Sequence, residues 1–347
     1  MFEPEETLDP QNWDAMRALG HRMVDDMLTY LQTVRDRPVW QPTPDHVKQH
    51  LHAPLPVEPQ GAAVAYQDFV DHILPYPLGN IHPRFWGWVM GTGTPLGVLA
   101  EMLAATMNPN LGGGDHVAND VERQVLDWCK EMLGFPQDAS GILVSGGSMA
   151  NFVGLTVARN TLAGFDVRAK GVAASAQPLT FYGSVEMHSC LQKAVELLGL
   201  GNEALRRIPV NAAYQIDLDA LDRAIQADRA AGYRPIGVIG NAGTVNTGAI
   251  DDLNSIADLC QREKLWFHVD GAFGALAAVS PELRPLLRGM ERADSIAFDL
   301  HKWMYMPFEA GCTLVRSEQA HRYAFSLTPE YLSHFERGAA GGSNWFN

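Results

Sequence analysis

Five stretches of this chain hold residue types that could do chemistry, and each lies where a short apolar run gives way to polar residues. In GILVSGGSMAN, residues 141–151, an apolar run enters Ser145-Gly146-Gly147-Ser148 and a helical pattern follows. Glycines let a backbone approach a ligand closely, and a helix N-terminus presents unpaired N–H groups to an anion. Gly147 and Ser148 could therefore cradle a phosphate. Neither a GK[ST] loop nor a GxGxxG fingerprint is present, and a glycine turn with a serine cap would give the same letters. His188 follows LTFYG near a helix start. It could stack on a planar ring or donate a proton, or simply face solvent. Thr244, in GNAGTVNTGAIDD, could offer its hydroxyl to a ligand or belong to an ordinary turn. Asp270 ends LWFHVD and is followed by the small residues Gly271 and Ala272. Its carboxylate could pair with a protonated ring nitrogen, bind a metal or cap a turn. Lys302 lies in DSIAFDLHKWMYMPFEAGC, after Asp299 and His301 and beside Trp303, Met304 and Met306. Apolar neighbours favour a nucleophilic amine able to form a Schiff base. Most lysines, however, are surface residues.

Something must hold these residues together. Apolar runs at 141–145, 179–183, 236–242, 265–270, 294–299 and 312–316 alternate with helical patterns at 148–162, 186–199 and 251–264. Such alternation predicts an α/β fold with a mostly parallel sheet, whose ligands bind at the carboxyl ends of the strands. A cradle, a histidine, a threonine, an aspartate and a lysine then fall on successive strand ends. That set suits pyridoxal 5'-phosphate: an anion site, a group over the ring, a partner for the ring nitrogen, and an amine for the aldehyde. Upstream, an amphipathic helix is expected at 11–36, an extended proline-rich connector at 37–62, and a further helix near 62–74. Residues 1–80 read as a helical arm without a core of its own, and 81–347 as the cofactor domain. Helices at 95–107 and 117–134 open that domain.

Composition narrows the class. The 347 residues are 46% hydrophobic and 19% charged, too apolar for a disordered chain. The formal net charge of −14 argues against a nucleic-acid partner. No apolar run is long enough for a membrane span, and the acidic N-terminus does not resemble a signal peptide. Cys129, Cys190, Cys260 and Cys312 are scattered, which suits reduced thiols in a cytoplasm rather than a disulfide scaffold or a zinc site.

Taken together, the motifs resemble the pyridoxal-phosphate-dependent group II amino-acid decarboxylases, which act on aromatic amino acids, histidine or glutamate. The resemblance is carried by His82-Pro83-Arg84-Phe85, Ser145 to Asn151, His188, Gly243-Thr244, His268 to Ala272, and Asp299 to Trp303. It implies a fold type I (aspartate aminotransferase-like) large domain, an obligate homodimer and an arm, 1–80, that packs across the partner. A C-terminal small domain would follow in the family, and none is found here. Lys302 would be the Schiff-base lysine, Asp270 the partner of the pyridine nitrogen, and Ala272 and His188 the residues on either side of the ring. Gly147 and Ser148 would bind the phosphate, with Thr244, His301 and Asp299 as further cofactor contacts. Asparagine often stands at position 299 in animal relatives, so the aspartate is a departure. Thr328 to Leu332 resembles the family's catalytic loop, in which Tyr331 would protonate the product carbon. Phenylalanine there marks aldehyde-forming relatives. The expected reaction is therefore decarboxylation of an L-amino acid, aromatic by preference, to the amine and carbon dioxide. The alternatives are an aldehyde synthase or other lyase on this cofactor, a glutamate decarboxylase, and a non-catalytic cofactor-binding dimer. Phe85, Trp86 and Trp88 would form an aromatic pocket or belong to the core.

Overall fold

The structure is a computed structural model that describes residue 7 and residues 9–112 and 115–327. The chain divides into two compact units, Met1–Gly87 and Trp88–Asn347.

In the first unit, α1 (Trp13–Gln32) is capped by Asn12, whose side chain accepts from the N–H groups of Asp14 and Ala15. The proline-rich stretch expected to be an extended connector contains a helix, α2 (Asp45–Leu51). It fits because the prolines flank it: Pro44 takes the N-cap position with extended backbone, and no proline recurs before Pro54. The next helix, α3 (Ala62–Asp68), continues through a wider turn over Phe69–Ile73. Tyr66 donates to Asp26 at 2.8 Å and ties α3 to α1. His50 and His72 bracket the Asp68 carboxylate at 2.5 and 2.9 Å.

The second unit opens with α4 (Pro95–Met107) and α5 (Val117–Leu133), close to their expected limits. The chain then runs β1 (Ser140–Val144), α6 (Gly147–Leu162), α7 (Val167–Lys170), β2 (Leu179–Ser184), α8 (Ser189–Leu197) and β3 (Leu205–Ile208). It continues through α9 (Leu218–Ala230), β4 (Arg234–Asn241), α10 (Leu253–Glu263), β5 (Trp266–Asp270) and β6 (Ser295–Asp299). It closes with α11 (Leu300–Trp303), β7 (Gly311–Val315) and α12 (Glu318–Phe325). The seven strands form one sheet in the order β1-β7-β6-β5-β4-β2-β3. Only β7 runs against its neighbours, so the other strands share one direction and one carboxyl edge.

Alternation along the strands feeds two apolar layers. Tyr182, Val238, Phe267 and Val269 pack with residues of α5, α9 and α10. Leu179, Phe181, Ile236 and Trp266 pack with α6, α8 and α12. Within the second layer Leu155 is fully buried. Leu155→Ala should cost about 2–5 kcal/mol, the usual loss for an unfilled core cavity, measured by urea unfolding.

Candidate active site

The carboxyl edge of the sheet opens onto a cavity of about 440 Å³. Its lining includes Gly147, Ser148, His188, Thr244, Asp270, Ala272, Asp299, His301 and Lys302. Every site residue expected from the sequence is thus brought to one place, save Tyr331, which lies outside the described residues.

The cradle is made by close packing. Gly146 lies directly on β7, and a Cβ at Gly311 would stand 2.6 Å from its Cα. A Cβ at Gly147 would stand 2.8 Å from an Asp299 oxygen. Any side chain at Gly147 would therefore collide with the strand-end carboxylate. Gly146, not a serine, holds the N-cap position of α6, and no side chain caps the helix. The first-turn N–H groups have no intrahelical partner, which is how a helix binds an anion. Ser148 is exposed to the cavity rather than spent on capping.

Asp270 ends β5 and is buried, its Oδ1 accepting from the Ala272 N–H at 3.1 Å. Burial pushes its carboxyl above the usual range, opposed by the Ala272 N–H, Asn151 and the nearby Lys302 and His188. Such a carboxylate would gain from a cationic ring N–H as its partner.

Lys302, on α11, donates to Asp299 Oδ2 at 2.8 Å. His301 adjoins this pair, its Nε2 3.7 Å from Asp299 Oδ2, while its Nδ1 accepts from the Ala310 N–H at 3.0 Å and its ring stacks on Phe308 at 4.2 Å. Burial lowers the His301 pKa, outweighing the opposing pull of Asp299. His188 caps α8, its Nδ1 accepting from the Cys190 N–H at 3.2 Å. This cap explains why α8 starts later than its sequence pattern suggests. The Thr244 hydroxyl is held in its own turn, 2.6 Å from Thr247 Oγ1, so its contribution to the cavity wall comes from a braced loop.

A second layer of polar residues was not foreseen as functional. Trp266 Nε1 donates to Ser295 Oγ at 2.8 Å, and Ser295 Oγ lies 2.7 Å from His268 Nδ1. His268 Nε2 lies 2.7 Å from Asn151 Oδ1, and Asn151 Nδ2 donates to the Gly147 carbonyl at 2.8 Å. The relay runs from the sheet interior to the cradle. The only sequence clues were the i, i+4 spacing of Gly147 and Asn151 and the i, i+2 spacing of His268 and Asp270. Burial pushes the His268 pKa down to about 3, so the imidazole is neutral in the folded protein. The unfolded chain binds this proton near the ordinary value of 6.5, so folding stability contributed by His268 falls as pH drops from 6.5 toward 3. Asp251, Asp270 and Asp294, raised by burial, act with the opposite sign. Urea unfolding at pH 7 and pH 5 should show a smaller pH-dependent loss in His268→Gln than in the native chain. Equal losses would exclude His268 as a contributor.

All four cysteines are free and buried. Cys190 lines the cavity, its thiol pushed up to about 12 chiefly by burial. Trp86 and Trp88 are 92% and 76% exposed, so neither is core, and Trp88 lines the cavity.

The chain is similar to known proteins along most of its length. The pyridoxal-dependent decarboxylase conserved domain matches residues 44–345. An aromatic-L-amino-acid decarboxylase of Bacillus atrophaeus is 34% identical over 96% of this chain and 68% of its own length. A phenylacetaldehyde synthase of Arabidopsis thaliana is 29% identical over 94% of this chain and 68% of its own. The crystal structure of Oryza sativa TDC with PLP and tryptamine superposes with a TM-score of 0.85 at 29% identity, over 95% of this chain and 69% of that one. The chain thus spans about two thirds of these relatives. The cavity fits pyridoxal 5'-phosphate on its own terms, since it offers an uncapped glycine-lined helix end, a buried strand-end carboxylate and an amine. The chain belongs to the pyridoxal-dependent decarboxylase family, α/β carboxy-lyases that use this cofactor.

Proposed function

We propose that the chain decarboxylates an aromatic L-amino acid to the corresponding amine and carbon dioxide. The observation that carries this reading is the convergence of Lys302, Asp270 and the α6 N-terminus on one cavity. Bound there, pyridoxal phosphate supplies an electron sink for the pair left when the α-carboxylate departs. Asp270 would hold a proton on the ring nitrogen, Gly147 and Ser148 would hold the phosphate, and Ala272 and His188 would confine the ring. Thr244, His301 and Asp299 complete the cofactor's surroundings. His188 Nδ1 is committed to its cap, which leaves Nε2 to carry a proton. Tyr331 delivers a proton to the product carbon.

The aromatic preference rests on the cavity walls. Trp88, Met149, Phe273 and Phe308 line it, and among the described lining residues there is no arginine to receive a side-chain carboxylate. Asp270, Asp299 and Glu309 line it too, which disfavours an acidic substrate. A panel of aromatic and acidic amino acids, assayed for carbon dioxide, amine, aldehyde and peroxide, tests the proposal. Amine and carbon dioxide in equal amounts from an aromatic substrate are expected. Aldehyde with peroxide would make it an aldehyde synthase, and glutamate turnover alone would refute the aromatic reading.

A homodimer belongs to the same proposal, with residues 1–80 as its arm. Helix α4 is apolar almost throughout, yet none of its 13 residues is buried, and Leu96, Leu103 and Met107 are 75%, 64% and 61% exposed. A helix apolar on all sides calls for a cover, here a second copy. Leu103→Glu should shift the protein toward monomer in light-scattering chromatography; an unchanged dimer would remove α4 from the interface. No described helix is long and apolar enough to cross a membrane, and the free thiols suit a cytoplasmic setting.

A further inference from the structure

Asp299 sits where an anion site least tolerates it. It ends β6 and is 1% exposed. Its Oδ2 accepts from Lys302 Nζ at 2.8 Å and lies 3.7 Å from His301 Nε2. Its Oδ1 is buried without a hydrogen-bond partner. Both oxygens lie against the cradle: a Cβ at Gly147 would stand 2.8 Å from Oδ2, and one at Gly146 would stand 3.8 Å from Oδ1. A phosphate at the N-terminus of α6 therefore meets a buried carboxylate.

The charges around it do not remove the conflict. Lys302 is the one ammonium among the described lining residues, and it shares the cavity with Asp270, Asp299 and Glu309. His301 has its pKa lowered by burial, and its Nδ1 is already an acceptor. His188 is engaged at Nδ1 by its cap, and the Cys190 thiol is pushed up to about 12. A carboxylate beside a phosphate dianion is repulsive. One proton between Asp299 Oδ1 and a phosphate oxygen replaces that repulsion with a charge-assisted O–H···O hydrogen bond.

We propose that Asp299 makes phosphate recognition proton-coupled, so that the cradle binds the cofactor's phosphate together with one proton that an asparagine at this position would not require. The inference rests on the cavity being the pyridoxal-phosphate site. Asp299 acts as a specificity residue for the protonated phosphate, and its unpartnered Oδ1 is the atom that shares the proton. Because a free phosphate monoester loses its second proton near pH 6, affinity falls as pH rises above that value.

The test uses pyridoxine 5'-phosphate, which carries the phosphate but no aldehyde and so does not engage Lys302 covalently. Calorimetry of the full chain near pH 8, in buffers of different ionisation enthalpy, counts the protons bound. Pyridoxine, lacking the phosphate, reports any proton taken by the ring. The native chain should take up about one more proton with the phosphate ester than with pyridoxine, and Asp299→Asn about none more. Between pH 7 and 8 the native affinity should fall roughly tenfold, while that of the variant stays within about twofold. Equal proton uptake by the two proteins, or none by the native chain, overturns the proposal. Should Asp299→Asn fail to fold, Asp299→Ser serves in its place, and absent uptake by the native chain remains decisive alone. Failure of pyridoxal phosphate to bind at all would instead strike the cofactor assignment of the cavity.

Discussion

Lys302→Ala will lose both the visible absorbance of bound pyridoxal phosphate and amine production, with kcat/KM down by roughly 10⁴-fold or more. Lys302 is the one lysine lining the cavity among the described residues, so no neighbouring amine can replace it. The substitution also removes the 2.8 Å partner of the buried Asp299 carboxylate, whose other oxygen is already unpartnered. Stranding a buried charge costs about 3–5 kcal/mol, so alanine alone would confuse lost chemistry with lost stability. Lys302→Arg separates the two. Its guanidinium can keep the ion pair but cannot form the Schiff base, so thermal stability should stay near native while absorbance and activity vanish. An arginine variant that retains turnover would remove Lys302 from the chemistry.

Asp270→Asn carries the second large effect. Asparagine keeps the shape and can still accept the Ala272 N–H bond that Asp270 accepts at 3.1 Å. What disappears is the negative charge, in a buried position where charge counts most. A neutral amide no longer favours a protonated ring nitrogen, and kcat should fall by about 10²–10³-fold with cofactor still bound. Asp270→Glu should recover part of that loss. A variant with native kcat would show that the charge at position 270 is dispensable.

The site was legible because its residues announce themselves locally. Gly146-Gly147, Asp270 and Lys302 each follow an apolar strand, and parallel strands deliver their ends to one edge. Less local features were not legible. Strand β3 reads LRRI, with only Leu205 and Ile208 buried, too short and too charged to stand out at the edge of the sheet. Helix α9 buries just Leu221 and Ile225, a stripe too thin to mark a helix by its apolar spacing. The antiparallel setting of β7 depends on its pairing with both β1 and β6, which no local pattern encodes. The relay through Ser295, His268 and Asn151 joins β6, β5 and α6, and its His268–Asn151 link spans 117 positions. The sequence supplied the residue types of that relay, and only the packing of α6 on the sheet made them neighbours.

The central claim is that this cavity holds pyridoxal phosphate through Lys302. Borohydride reduction of the cofactor-loaded protein, followed by peptide mass mapping, tests it most directly. The cofactor's mass should appear on the peptide containing Lys302 and on no other lysine, at about one per chain. Labelling at a different lysine, or none in protein that binds the cofactor, would contradict it.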